Sequence, residues 1–209
     1  MIHSSAKRLL LTALAAVITA STLSACFPLV AGGMASGALL AADRRTSGAQ
    51  LEDEGIELRA VSRIRSAFGE RVHVNITSYN RQVLLTGEVG NAQDKTAVEQ
   101  LVAKVENAQS VVNELDVMAG STLGQRSSDT LVTGRVKAAL IDARDLQFNA
   151  FKVVTERGVV YLMGRVTQRE GTRASDVARG VAGVQKVVKV FEYITEDDVR
   201  QMSNTPARQ

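Results

Sequence analysis

The side chains able to do chemistry in this 209-residue chain are few: one cysteine, Cys26, and two histidines, His3 and His73. Cys26 follows Leu23-Ser24-Ala25, which in turn follow Lys7-Arg8 and an apolar run from Leu9 to Ala20. A positive start, a short hydrophobic segment and small residues before a cut site make a secretory signal. His3 lies inside that segment, so the processed chain keeps one imidazole and no thiol beyond Cys26. One His without a free Cys cannot build the usual zinc sites, and no second imidazole is left to serve a Ser/His/Asp set. The aspartates and glutamates fall mostly on helix faces as solvated charge, and Asp197-Asp198 sit in a polar, disordered terminus. There is no Trp, and aromatics make up 4% of residues, too few to stack nucleic-acid bases. The residues therefore predict no catalytic group, no metal site, no nucleic-acid partner and no enzyme.

Cys26 itself has two readings. The run before it could be a transmembrane or core helix with a buried Cys, but it is short of the roughly 20 apolar residues a span needs. A small residue directly before a lone Cys resembles the bacterial lipobox instead. There the thiol takes a diacylglycerol, and cleavage frees the amine for a third, N-linked acyl chain. Residues 1–25 are then a lipoprotein signal, and the acyl groups on Cys26 are the only attached groups, with no other cofactor. Each buried CH₂ contributes about 0.8 kcal/mol and two or more chains anchor stably, so the protein lies at a membrane surface without spanning it. Cleavage removes Lys7 and Arg8 and no acid, which lowers the formal charge of +3 by two. The high pI does not describe a basic mature protein. Without disulfides, an apolar core must hold the fold. Similarity to bacterial lipoproteins implies that Phe27, standing where an Asp would signal retention, means sorting to the outer membrane. Residues 26–50 read as the lipidated Cys and an Ala/Gly-rich tether, with Gly33-x-x-x-Gly37 in an apolar stretch and Asp43-Arg44-Arg45 marking the exit to water.

The rest of the chain is an internal repeat. Val83-Leu84-Leu85-Thr86-Gly87-Glu88-Val89 recurs as Val160-Tyr161-Leu162-Met163-Gly164-Arg165-Val166. Arg63-Ile64-Arg65-Ser66-Ala67-Phe68 recurs as Arg135-Val136-Lys137-Ala138-Ala139-Leu140, and Val111-Val112-Asn113 as Val187-Val188-Lys189. Each copy reads helix, strand, strand, helix, strand. In the first copy Ile56, Ala60, Ile64, Ala67 and Phe68 share a helical face, Val72, Val74 and Ile76 alternate as a strand, Asn80-Arg81 turns, and Val111 to Val117 closes the sheet. In the second, Ser127 or Ser128 opens the helix, Phe151 to Thr155 is a strand, Arg157-Gly158 turns, Thr167-x-x-Glu170 is a capping box, and Val184 to Ile194 is the last strand. Gly87 and Gly164 interrupt strands, where a glycine marks close approach of a helix or backbone. Aligning the first helices by the Arg63/Arg135 block puts Leu131 where the first copy has the charged, non-core Arg59. Leu131 shares its face with Gly134, Arg135 and Ala138, with Lys137 and Ile141 at its edges. An apolar wedge beside cations suits an anionic bilayer. Packing of Leu131 against the first copy or the Gly120–Gly124 linker is the alternative.

The repeat, with its Leu-x-Gly-x-Val strand and terminal Val-Val-Asn, resembles the BON domain (bacterial OsmY and nodulation). With the lipobox, the tether, Asp43-x-Arg45-Thr46 and Leu162-Met163-Gly164-x-Val166-Thr167-x-Arg169-Glu170, the whole chain is similar to the dual-BON outer-membrane lipoproteins of the DolP (YraP) family. The resemblance implies an α/β (α+β) fold of two tandem BON domains, each α-β-β-α-β with a three-stranded mixed sheet on two helices. They would span 51–119 and 127–195, joined by a linker at 120–126 and followed by a polar tail at 196–209. It also implies binding of anionic phospholipid, phosphatidylglycerol in particular, through the first helix of the second domain. The positions matching that contact face are Gly124, Leu131, Val132, Arg135, Val136, Lys137 and Ile141. Leu131 departs from the family, which can have Trp there; Leu keeps the wedge and loses the interfacial ring. A periplasm-facing outer-membrane location, a part in envelope integrity, enrichment at division sites and a first domain acting as spacer follow from the same resemblance. A protein-interaction adaptor docking onto outer-membrane assembly proteins is the rival reading.

The lipobox makes a direct prediction. Cys26→Ala is expected to abolish incorporation of radioactive palmitate and to remove the acylated form from the outer-membrane fraction. Wild-type protein that takes up no label would contradict the lipobox.

Overall fold

The computed structural model describes residues 43–204. The signal, Cys26 and the tether up to residue 42 lie outside the described residues, as do 205–209. Two copies of one unit follow in order. The first is α1 (Ser47–Phe68), β1 (His73–Tyr79), β2 (Gln82–Val89), α2 (Ala92–Ala103), β3 (Ser110–Asn113) and β4 (Asp116–Val117). The second is α3 (Leu123–Asp142), a short 3-10 turn, β5 (Phe151–Glu156), β6 (Val159–Val166), α4 (Gln168–Arg179) and β7 (Lys186–Tyr193). A last helix, α5 (Glu196–Asn204), ends the described chain.

In each sheet a hairpin is antiparallel and the closing strand runs parallel to the central one: β1-β2-β3 and β5-β6-β7. The expected strand from Val111 to Val117 is split. Asn113 Oδ1 takes the Leu115 amide at 3.2 Å, and Leu115 turns fully into the core. Pairing with β2 then resumes through Glu88 and Asp116.

Helix ends explain three departures from the expected boundaries. Thr46 accepts the Ala49 amide, so α1 begins at Ser47, within the stretch read as tether. Thr122 and Gln125 form a capping box, so α3 begins inside the expected linker rather than at Ser127 or Ser128. Thr195 and Asp198 cap α5, which makes a helix of the tail read as disordered. Each cap satisfies amide donors that a helix start leaves orphaned.

Alternation along the strands sends side chains to two different cores. One face of each sheet meets its own helices: Val83, Leu85 and Val89 pack with Ile56, Ala60 and Val98, and Val160, Leu162 and Val166 pack with Val132, Val136 and Ala174. The other faces meet each other through Tyr79, Leu84, Tyr161, Met163 and Val190. The order of layers is therefore helices, sheet, sheet, helices. The central strands are buried on both sides, and they accordingly read as continuous apolar runs rather than alternating ones.

The hairpin turns hold residues in the left-handed region: Asn80 and Arg81 at φ 49° and 67°, Arg157 and Gly158 at 49° and 73°. Three of the four are not glycine and are strained there. A buried aspartate on the first helix of each unit compensates. Asp53 accepts the Asn80 and Arg81 amides at 2.8 and 2.7 Å, and Asp129 accepts those of Arg157 and Gly158, both at 2.8 Å.

Gly87 and Gly164 sit where expected, against backbone. A Cβ on Gly87 would strike the His73 carbonyl oxygen, and one on Gly164 that of Ala150. Gly87 also has φ 111°. Gly87→Val and Gly164→Val are each expected to destabilise the fold by at least about 1–3 kcal/mol, the usual cost of overpacking, read as a lower melting temperature. An unchanged melting temperature in both would refute the close-approach explanation.

Candidate functional site

Helix α3 presents two faces because its apolar residues follow two registers. Asp129, Val132, Val136 and Leu140 recur at helical spacing and point into the core. Opposite them, Leu123, Leu131 and Ile141 are 81%, 61% and 53% exposed. Leu131 thus packs against neither the first unit nor the linker. Gly124, Gly134 and Ala138 lie exposed on the same outer side. Arg135 and Lys137 are also exposed, and among the described residues neither has a carboxylate partner. Arg135 Nη1 makes only a long hydrogen bond to the Ala182 carbonyl, at 3.4 Å.

The implied contact set divides accordingly. Gly124, Leu131, Arg135, Lys137 and Ile141 are on the open surface. Val132 and Val136, at 3% and 0% exposure, are core residues and cannot reach a ligand. That is a correction: the resemblance placed them on the contact face, and the helical spacing that puts Ala60 and Ile64 in the first core puts these two in the second. Leu123 was missed because the linker was read through residue 126. The Thr122-x-x-Gln125 box was the signal that would have found it.

The first unit offers a different surface. On α1, Leu51, Leu58 and Val61 are exposed, but Glu52, Glu54 and Glu57 stand among them and Arg59 is tied to Glu52 at 2.6 Å. Glu57 is likewise paired, with Lys152, and Glu54 and Arg65 are both exposed, so this face carries mixed charge where the outer face of α3 is flanked by cations without carboxylate partners.

A second feature lies where the chain enters the body. Asp43-Arg44-Arg45 does not mark an exit to water; it is a buried clasp. Arg44 forms a two-pronged ion pair with Glu170, both bonds 2.7 Å, with side chains 5% and 6% exposed. It also donates to the Arg165 carbonyl at 2.9 Å and the Gln147 amide oxygen at 3.3 Å, all in the second unit. Arg45 turns to the first unit: its guanidinium binds Asp53 at 2.8 Å and lies 4.3 Å from the Tyr79 ring centre. Glu170 is the capping-box residue of α4, so the same carboxylate closes a helix start and receives Arg44. Burial alone would raise the Glu170 pKa, but Arg44 and the Thr167 amide outweigh it and hold it below the ordinary value.

Acids read as solvated charge are thus buried at several points. Glu88 and Glu156 are two more, on the facing sheets. Burial would raise Glu88, yet His73, Arg157 and the Ser121 amide pull it below its ordinary value. Burial raises Glu156, a hydrogen bond from Asn75 offsets part of the rise, and the Glu88 charge adds to it.

Comparison with other proteins places these features in context. The BON domain family matches residues 57–119 and 128–195. The chain is 36% identical over 174 residues to the outer membrane lipoprotein DolP of Haemophilus influenzae, covering 82% of this chain and 90% of that one. It is 31% identical over 154 residues to a 21 kDa hemolysin of Actinobacillus pleuropneumoniae, with coverage of 73% and 79%. Against the osmotically-inducible protein Y of Escherichia coli it is 36% identical over 120 residues, 54% of this chain and 58% of that one.

The clasp has a measurable weight. Removing one partner of a buried ion pair typically costs about 3–5 kcal/mol, so Arg44→Ala should lower the urea midpoint at pH 7 by a corresponding amount. Because the folded pKa of Glu170 is depressed, the pair's contribution is complete above the unfolded value of about 4.3 and is lost as pH falls through the folded one. The stability gap between wild type and Arg44→Ala should therefore narrow on acidification below pH 4. A gap that stays constant down to pH 2 would show that Glu170 is not the group Arg44 serves.

Proposed function

The chain belongs to the dual-BON outer-membrane lipoproteins of the DolP family, and from that premise we propose that it is anchored through Cys26, faces the periplasm and binds anionic phospholipid with the outer face of α3. The observation that carries this reading is the exposure of Leu131 between unpaired Arg135 and Lys137. Exposed apolar side chains enter the acyl boundary while the cations meet lipid phosphates. Leu123 and Ile141 extend the apolar side toward both helix ends. Among the described residues no helix is long and apolar enough to cross a membrane, so membrane contact falls to the anchor and to surfaces of this kind. Support of envelope integrity, and enrichment at division sites, belong to the same proposal. The relative matched over most of both chains is named as an outer membrane lipoprotein, which fits a binding role.

One observation favours a second role beside it. The Leu51-Leu58-Val61 face of α1 is apolar with opposite charges beside it, Glu54 and Arg65 both exposed, a mixture that a protein surface accommodates. It suits an adaptor contact with assembly proteins of the outer membrane.

Vesicle co-sedimentation separates the two. The body from residue 43 onward should bind phosphatidylglycerol vesicles and not neutral ones. Leu131→Glu should abolish binding without changing the circular dichroism spectrum, and Leu131→Trp should strengthen it by restoring an interfacial ring. Arg135→Glu and Lys137→Glu should weaken it, more at low salt, each basic residue near an anionic surface contributing about 1 kcal/mol. Arg59→Glu should matter little. A folded Leu131→Glu protein that still binds would move the lipid site elsewhere and favour the adaptor.

A further inference from the structure

We propose that the seam between the two sheets holds a divalent transition-metal site of the zinc class, built by His73 and Glu88 of the first unit and Glu156 of the second. His73 Nδ1 and one carboxylate oxygen from each glutamate lie within 4.8 Å of one another. Ligands at about 2.0–2.1 Å from zinc stand roughly 3.4 Å apart in a tetrahedron. His73 Nδ1 and Glu88 Oε2, 2.7 Å apart, would have to part by a few tenths of an ångström, and the wider pairs to draw in, on binding the ion.

The fold brings these residues together for reasons unrelated to their chemistry. His73 and Glu88 are register partners across the first hairpin, so both side chains leave the same sheet face. That face packs on the second sheet, where Glu156 ends β5. Most of the seam is apolar; this corner is not. Arg157 Nε donates to Glu88 Oε1 at 2.7 Å and leaves Oε2 against His73 Nδ1, also at 2.7 Å. Among the described residues Glu156 has only the neutral Asn75 amide as hydrogen-bond partner, at 2.8 Å. Two buried carboxylates thus share one permanent cation, an arrangement that burial makes strongly unfavourable. A divalent ion supplies the missing charge while Arg157 keeps its own oxygen of Glu88.

An independent observation points the same way. Thr86 Oγ1 is buried and has no hydrogen-bond partner among the described residues. Thr86 lies directly across the hairpin from Asn75 and two residues from Glu88, on the same strand face. A buried hydroxyl without a partner is rare. A water on the metal's fourth position gives it one. The His73 side chain is 25% exposed, which leaves a path for the ion at the rim. Imidazole with two carboxylates suits zinc, whereas magnesium and calcium take shells of six or more oxygens. His73 does not need a second imidazole here, because the facing sheets bring two buried carboxylates to it. Since the ligands come from both units, the ion clamps one to the other.

The test is zinc titration of the full acylated chain in detergent, followed by calorimetry and by thermal unfolding. One ion per chain should bind in the micromolar range or tighter, and zinc, not magnesium, should raise the melting temperature by mass action. Cobalt in place of zinc should give visible absorption bands. His73→Ala and Glu156→Gln should each weaken zinc roughly tenfold or more and erase the cobalt bands. Glu156→Gln preserves shape and the bond to Asn75, so it decides the matter even if His73→Ala does not fold. Absence of saturable uptake below millimolar zinc, or uptake unchanged in Glu156→Gln, would overturn the site.

Discussion

Everything else in the molecule depends on the burial of two sheets against each other. Each unit has an apolar sheet face that its own two helices do not cover. Apolar surface left in water is the dominant cost a small domain carries, and pairing the two uncovered faces removes it at once. The consequences reach every surface. Helices are forced to the outside, so α1 and α3 each expose a full flank. Strands β2 and β6 become interior strands, buried on both faces. Polar residues at the margins of the sheets are taken out of water and must find partners across the seam: Lys152 with Glu57, Asn80 with Glu192, Arg157 with Glu88.

That burial also changes what a charge does. An exposed ion pair is worth little because water competes for both partners. On the helices Glu170, Asp53 and Asp129 are also buried and each meets several donors, and breaking one such set leaves a charge with nowhere to go. The entering chain exploits this. Arg44 and Arg45 are adjacent, yet one is committed to the second unit and the other to the first. A short sequence therefore ties the start of the body to both halves.

Much of the fold was legible because it is local or repeated. The block order, the cap at Thr167, the hairpin turns and the glycines needed only short spacings to be read. Leu131 was legible because two aligned copies differ there, and the departure of Arg59 to Leu131 is visible without a structure. What was not legible is long-range. Arg44 and Glu170 are 126 positions apart, and neither residue's neighbours hint at the other. Glu88 and Glu156 look like solvated strand charges within one unit and become buried only when the second sheet covers the first. Val132 and Val136 show the opposite failure: the repeat marked them as core, and resemblance to a contact face was allowed to override the helical period.

The same geometry accounts for how a modest surface could be sufficient. Arg44 contacts Gln147, just beyond the C-terminal end of α3, and Glu170 in the first turn of the helix beside it. The chain leading back toward Cys26 thus enters the body near the end of α3 that carries Ile141. On the proposed reading, an acylated Cys26 would make contact between α3 and the bilayer intramolecular, with an effective concentration set by the linkage rather than by diffusion. Under that condition Leu131 and two cations need only orient a body already held at the membrane. A Trp at Leu131, expected to strengthen binding of an untethered domain, would then add little to a tethered one. The clasp fixes where residues 44 and 45 join the body, one to each unit.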